Sequence, residues 1–171
     1  MRITRVLLFT GLLSMTGCGL NDVMAYQSVD WLTRCDRDEF TATNSCFVTS
    51  QSTLMRYPQP SAFTVALNKT SDGENVMLTI TNNSNGYFNN DMLQARVGPN
   101  EIIDLHEGNQ LFSNRERGLL IVVPSKETGD LLLEQMRDGS EVMFRATHML
   151  QGVLTMPLGL KGFNEAWMAL Q

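Results

Sequence analysis

Positive charge is scarce in this sequence: 13 Lys and Arg stand against 18 Asp and Glu in 171 residues, a formal net charge of −5. The basic residues form no cluster, and because phosphate neutralisation by Lys and Arg dominates nucleic-acid affinity, a nucleic-acid partner is excluded. A polybasic attachment to anionic lipid is missing for the same reason. Long apolar runs are absent too. Val6 to Leu13 is broken by Thr10 and Gly11 and falls well short of the roughly 20 residues that span a bilayer. Cys35 and Cys46 with two distant histidines do not supply the ligands of a zinc site. It contains no G-x-S-x-G, no H-E-x-x-H and no phosphate-binding glycine loop, so the common hydrolase and nucleotide signatures are missing. Internal repeats and low-complexity segments are lacking as well, and the length suits one domain with a real core.

What is present begins at the N-terminus. Arg2 and Arg5 precede the Val6–Leu13 run, and the small residues Thr16 and Gly17 come just before Cys18. This is the three-part plan of a secretory signal. The segment Ser14-Met15-Thr16-Gly17-Cys18 also resembles the bacterial lipoprotein signal, in which a small residue precedes a cysteine that becomes acylated. The resemblance implies a signal peptide over 1–17, a lipidated Cys18 as first mature residue and palmitate-like chains holding the protein to a lipid bilayer. One acyl chain binds only marginally, whereas two or more anchor stably. Gly19, where enteric bacteria place Asp to retain a lipoprotein at the inner membrane, implies the outer membrane, with the domain facing the periplasm.

Export leaves Cys35 and Cys46 in an oxidising compartment, where a pair this close is expected to bridge. Neither lies in a C-x-x-C motif or beside a histidine, so reactive thiols have no support. The chain-entropy model values the closed loop at about 3 kcal/mol.

Residues 18–29 lack a clear period and read as anchor and tether, leaving 30–171 as a single β-rich domain. From Trp31 onward the period is mostly two, the signature of half-buried strands. Phe63, Val65 and Leu67 alternate with smaller residues, as do Val76, Leu78 and Ile80, and the turn-rich stretch 68–75 between them predicts a hairpin. A second hairpin is expected from 92–97 and 101–105 around Gly98-Pro99-Asn100, and a third from 141–149 and 152–156. The apolar run 118–123 predicts a strand buried on both faces. Two segments change period. A short helix is expected near 126–138, with Leu132, Leu133 and Met136 on one stripe, Ser125 or Thr128 at its start and Gly139 at its end. Another is expected near 160–170, where Leu160, Phe163, Trp167 and Leu170 share a stripe. The fold class is therefore mainly β (α+β): an antiparallel sandwich or partly open barrel of seven or eight short strands with two helices.

Both ends of this domain resemble the invasion-associated locus B family of bacterial envelope proteins. Trp31, Cys35 and Cys46 match that family's opening, where a Trp precedes the first of two cysteines and the second begins a strand. Leu160, Gly162, Phe163 and Ala166 match its closing helix entry. The family commonly carries another cysteine pair in its middle, and this chain has none between 47 and 171. The resemblance implies a β-rich periplasmic or outer-membrane-associated protein linked to host interaction or envelope function, and it implies no catalytic residue.

Chemistry-bearing candidates are few. His106 has Asp104 and Glu107 nearby, and His148 lies in Arg145-Ala146-Thr147-His148-Met149; neither set completes a catalytic or metal constellation. The asparagine-rich loop 82–91 is the better candidate. It is expected to present Tyr87 and Phe88, since aromatics on a polar loop are typical anchors for a protein partner. The sequence thus predicts a non-enzymatic envelope lipoprotein without cofactor or metal that binds a protein partner. A periplasmic inhibitor or immunity-type protein is the alternative, and an envelope hydrolase acting through His106 or His148 is third.

Overall fold

The computed structural model describes residues 26–28, 30–37, 44–54, 61–70, 73–84, 86–106 and 110–170. Cys18 and the tip of the Cys35–Cys46 loop lie outside them. Within them the chain runs β1 (Tyr26–Ser28), β2 (Leu32–Arg37), β3 (Asn44–Leu54), β4 (Ser61–Lys69), β5 (Val76–Asn82), β6 (Phe88–Val97), β7 (Ile103–Asp104), β8 (Gln110–Asn114), β9 (Leu119–Val123), α1 (Lys126–Asp138), β10 (Glu141–His148), β11 (Gly152–Gly159) and α2 (Phe163–Met168). The strands form two antiparallel sheets. One has the order β1-β3-β4-β5-β9-β8, with β2 pairing β3 beside β1, and the other has the order β11-β10-β6-β7.

Period two explains the layering. Phe63, Val65 and Leu67 of β4, Leu78 and Ile80 of β5, Leu93 and Val97 of β6, Phe144 of β10, and Leu154, Met156 and Leu158 of β11 are all buried. Alternate residues of each strand stay half-buried or exposed. Facing stripes from two sheets make a sandwich core, and each large side chain so buried contributes about 1.5–3 kcal/mol. The predicted hairpins are present as β4–β5, β6–β7 and β10–β11.

The helices follow their local signals. The Ser125 side chain accepts the Thr128 backbone N–H at the start of α1, and Leu132, Leu133 and Met136 are buried on its inner stripe. At its end the Gly139 N–H donates to Gln135 O, and a Cβ at Gly139 would collide with Val97. Close approach, not an unusual dihedral, is the reason for glycine there. Among the described residues no helix is long and apolar enough to cross a membrane.

A corner built on Trp31 joins the start of the domain to its end. The Trp31 backbone N–H donates to Lys161 O at 3.1 Å, and its indole N–H donates to Gly159 O at 2.8 Å. Phe163 meets the indole edge-on at 5.1 Å and stacks on Trp167 at 6.2 Å. Thr33 Oγ1 donates to Ala166 O at 2.8 Å, which ties β2 to α2. Beside this corner, β2 and β3 form the hairpin that carries the Cys35–Cys46 disulfide, whose cysteines are directly opposite in register. Val48 then enters the core.

Three expectations are corrected. Residues 26–28, assigned to the tether, form β1 and pair with Ser52–Leu54; three residues are too few to display a period. The run 118–123 is buried on one face only: Leu120 and Val122 are buried, while Leu119, Ile121 and Val123 on the other face are half-buried. The strand β8 was missed, since Leu111 and Phe112 are adjacent apolar residues and do not alternate.

Candidate functional site

The loop expected to display Tyr87 and Phe88 separates them. Phe88 is fully buried between Phe63, at 5.8 Å, and His148, at 5.6 Å. It begins β6 five positions before Leu93, and the register irregularity between their partners Ala146 and His148 lets both face inward, so Phe88 belongs to the core and is unavailable to a partner. Tyr87, one residue earlier, has the opposite phase. It stays half-buried with the Arg115 guanidinium 5.1 Å from its ring centroid, a cation–π contact that fixes the ring against the β8–β9 turn.

Beneath this loop lies a buried polar pair that joins the two sheets. Asn82 ends β5 and His148 ends β10, and both are buried. Asn82 Nδ2 donates to His148 Nε2 at 2.8 Å, since an amide nitrogen can only donate. Two further bonds orient the amide: its oxygen accepts the Ser84 N–H at 2.9 Å, and its nitrogen donates to Gly86 O at 3.2 Å. Polar groups in a core must be paired to be tolerated, and here the pairing draws the 83–87 loop down onto the sandwich. Gly86 completes the fit, with φ of +101° and no room for a side chain, since a Cβ would lie 2.6 Å from His148 Cε1.

The β10–β11 turn is held to this scaffold at Met149 and Gln151, with the Leu150 backbone lying close to His148 between them. The Met149 N–H donates to Tyr87 O at 3.0 Å, and the Leu150 N–H lies 3.3 Å from His148 Nδ1. The Gln151 side chain bonds Ser61 Oγ of β4 at 3.1 Å. Despite this fixed backbone the side chains of Met149 and Leu150 point outward, 51% and 64% exposed, and Val153 on the next strand is 55% exposed. The turn thus presents two large apolar side chains beside a half-buried tyrosine.

No protein-family model, curated protein or solved structure matches the chain.

The remaining candidates sit elsewhere. His106 is exposed just beyond β7, where its backbone N–H donates to Asp104 Oδ1 at 2.8 Å, a turn-stabilising contact. His148 is a buried structural residue and not a surface base. Among the described residues no three His, Cys, Asp or Glu side chains are grouped to hold a metal. Sequence reasoning missed the Asn82–His148 pair and the exposed turn. A signal for the pair existed: His148 shares the phase of Val142, Phe144 and Ala146, which places it inward.

Proposed function

We propose that this protein is a lipoprotein of the bacterial cell envelope, anchored through acylated Cys18 at the outer membrane, whose non-enzymatic β domain binds a protein partner through Tyr87, Met149 and Leu150. The observation that carries the reading is the fixed turn of β10–β11. Met149 is tied through its backbone to Tyr87 and Gln151 through its side chain to Ser61, while the Met149 and Leu150 side chains remain exposed. An ordered backbone spares a partner the cost of fixing the turn, so binding has only the side-chain freedom of Met149 and Leu150 to offset. The lipoprotein-like segment around Cys18 supports the address, and the Cys35–Cys46 disulfide suits an oxidising compartment.

Affinity capture from envelope extracts with the mature protein, beside a Leu150→Asp variant, tests this. A stoichiometric protein from the same cell, held by wild type and lost with Leu150→Asp, is the expected result. Capture of a foreign or toxic enzyme would favour an inhibitor. A turnover activity abolished by His106→Ala, with no partner retained, would contradict the proposal.

A further inference from the structure

The outer face of the larger sheet carries no charge across its central strands. Cross-strand register sets Leu32, Thr49, Ala66, Thr79, Ile121 and Phe112 in one row over six strands. The next row contains Thr64, Thr81 and Leu119. Among the described residues, every position of β4, β5, β8 and β9 that shares this outward phase is uncharged. Arg34 and Asp36, on the edge strand β2, are the charges nearest in register. The smaller sheet differs, since Arg96, Arg145 and Asp104 stand in the outward rows of its strands.

The strand β9 makes the point most strongly, because Leu119–Val123 is apolar on both phases. Leu120 and Val122 are fully buried in the sandwich core, while Leu119, Ile121 and Val123 stay half-buried. Phe112, directly opposite Ile121, is 58% exposed, and Leu32 at the far end of the row is 39% exposed. An antiparallel sheet that faces water alternates apolar with polar, and a strand apolar on both phases suits a place between two layers.

We infer that a second copy of this chain supplies the missing layer, the two larger sheets packing back to back about a two-fold axis. Such a contact sets one patch against itself. Like charges opposed across an interface are costly, and in a chain of net charge −5 this face brings none together. Sheets packed face to face lie about 10 Å apart, a spacing that the small outward residues Thr64, Ala66, Thr79 and Thr81 allow. Six strands about 4.8 Å apart and five residues of about 3.4 Å each give a footprint of about 500 Å² per copy. The total of about 1,000 Å² is the lower bound for a specific interface, so the dimer is weak and reversible. The inference does not depend on the partner proposed for Met149 and Leu150.

The test uses the full chain in intact cells, co-expressed with two different tags and carrying benzoylphenylalanine at the exposed Phe112 position. Illumination is expected to give an adduct of two chains that carries both tags. Thr79→Glu and Thr79→Lys, near the middle of the row, should each lower its yield about tenfold when expressed alone, and co-expressing the two should restore it. No adduct, or adducts only with lipid or a different protein, would overturn the inference. So would an unchanged yield in either Thr79 variant, or a loss that persists when the two are combined. Where a Thr79 variant fails to accumulate, the adduct from position 112 in the chain with Thr79 intact decides alone.

Discussion

At Gly86 a single missing methyl group decides whether the two sheets can be joined as they are. Its φ of +101° is one that L side chains rarely adopt, and a Cβ would lie 2.6 Å from the His148 ring. Gly86→Ala is therefore expected to cost about 2–4 kcal/mol, combining backbone strain with overpacking, measured as a lower urea midpoint. In a His148→Ala background the overpacking share should vanish and the penalty of Gly86→Ala should shrink to the strain alone; an unchanged penalty would show that the collision is not the cause. Residue-level legibility depended on phase. Trp167 could be placed in the core because three other apolar residues share its helical stripe. Phe88 could not, because the asparagines around it hide where β6 begins. His148 was legible only after its neighbours were seen to alternate.

At the level of elements, local signals and pairing partners divided the outcome. The helix α1 carries its own cap and stripe, and the three hairpins carry their own turns, so the sequence was enough for each. The strands β1 and β8 are edge strands whose order comes from backbone bonds to β3 and β9, a tertiary cause that leaves no period in the chain. The strand β3 lies between, since two of its inward positions are Ser50 and Ser52, which dilute the apolar alternation. Its hairpin with β2 is where the disulfide acts. Cys35 and Cys46 are eleven positions apart, and bridging them restricts the unfolded chain by about 3 kcal/mol in the entropy model. Cys35→Ser, Cys46→Ser and the double variant should all melt together, roughly 6–12 °C below wild type. Reductant should reproduce that shift in wild type and leave the double variant unmoved. Three different melting temperatures, or a reductant effect on the double variant, would refute this account of the hairpin.

For the whole molecule, the sandwich was legible as a class from period two, but the relation between its sheets was not. That relation rests on long-range contacts: Trp31 with Gly159 and Lys161, Asn82 with His148, and Ser61 with Gln151. The phase of His148 places that residue inward, but no pairing among these can be read from the sequence, because each joins residues that only folding brings near. The β10–β11 turn was legible as the end of a hairpin, with Met149 closing its first strand and Leu150 in the turn, but the exposure of both side chains was not. If the domain is tethered as proposed, Cys18→Ser should abolish acyl labelling and move the protein from the membrane to the soluble periplasmic fraction. Label retained in that variant would remove the anchor from the account.

The central claim is that a partner covers the Met149–Leu150 turn. Photo-crosslinking in intact cells from benzoylphenylalanine placed at Leu150 addresses it most directly, with the same group at Phe112 on the outer face of the other sheet as the reference. The account predicts one dominant adduct from position 150 that is absent from position 112 and is suppressed when Gly86→Ala disturbs the buried pair beneath the turn. No adduct from position 150, or the same adducts from both positions, would contradict it.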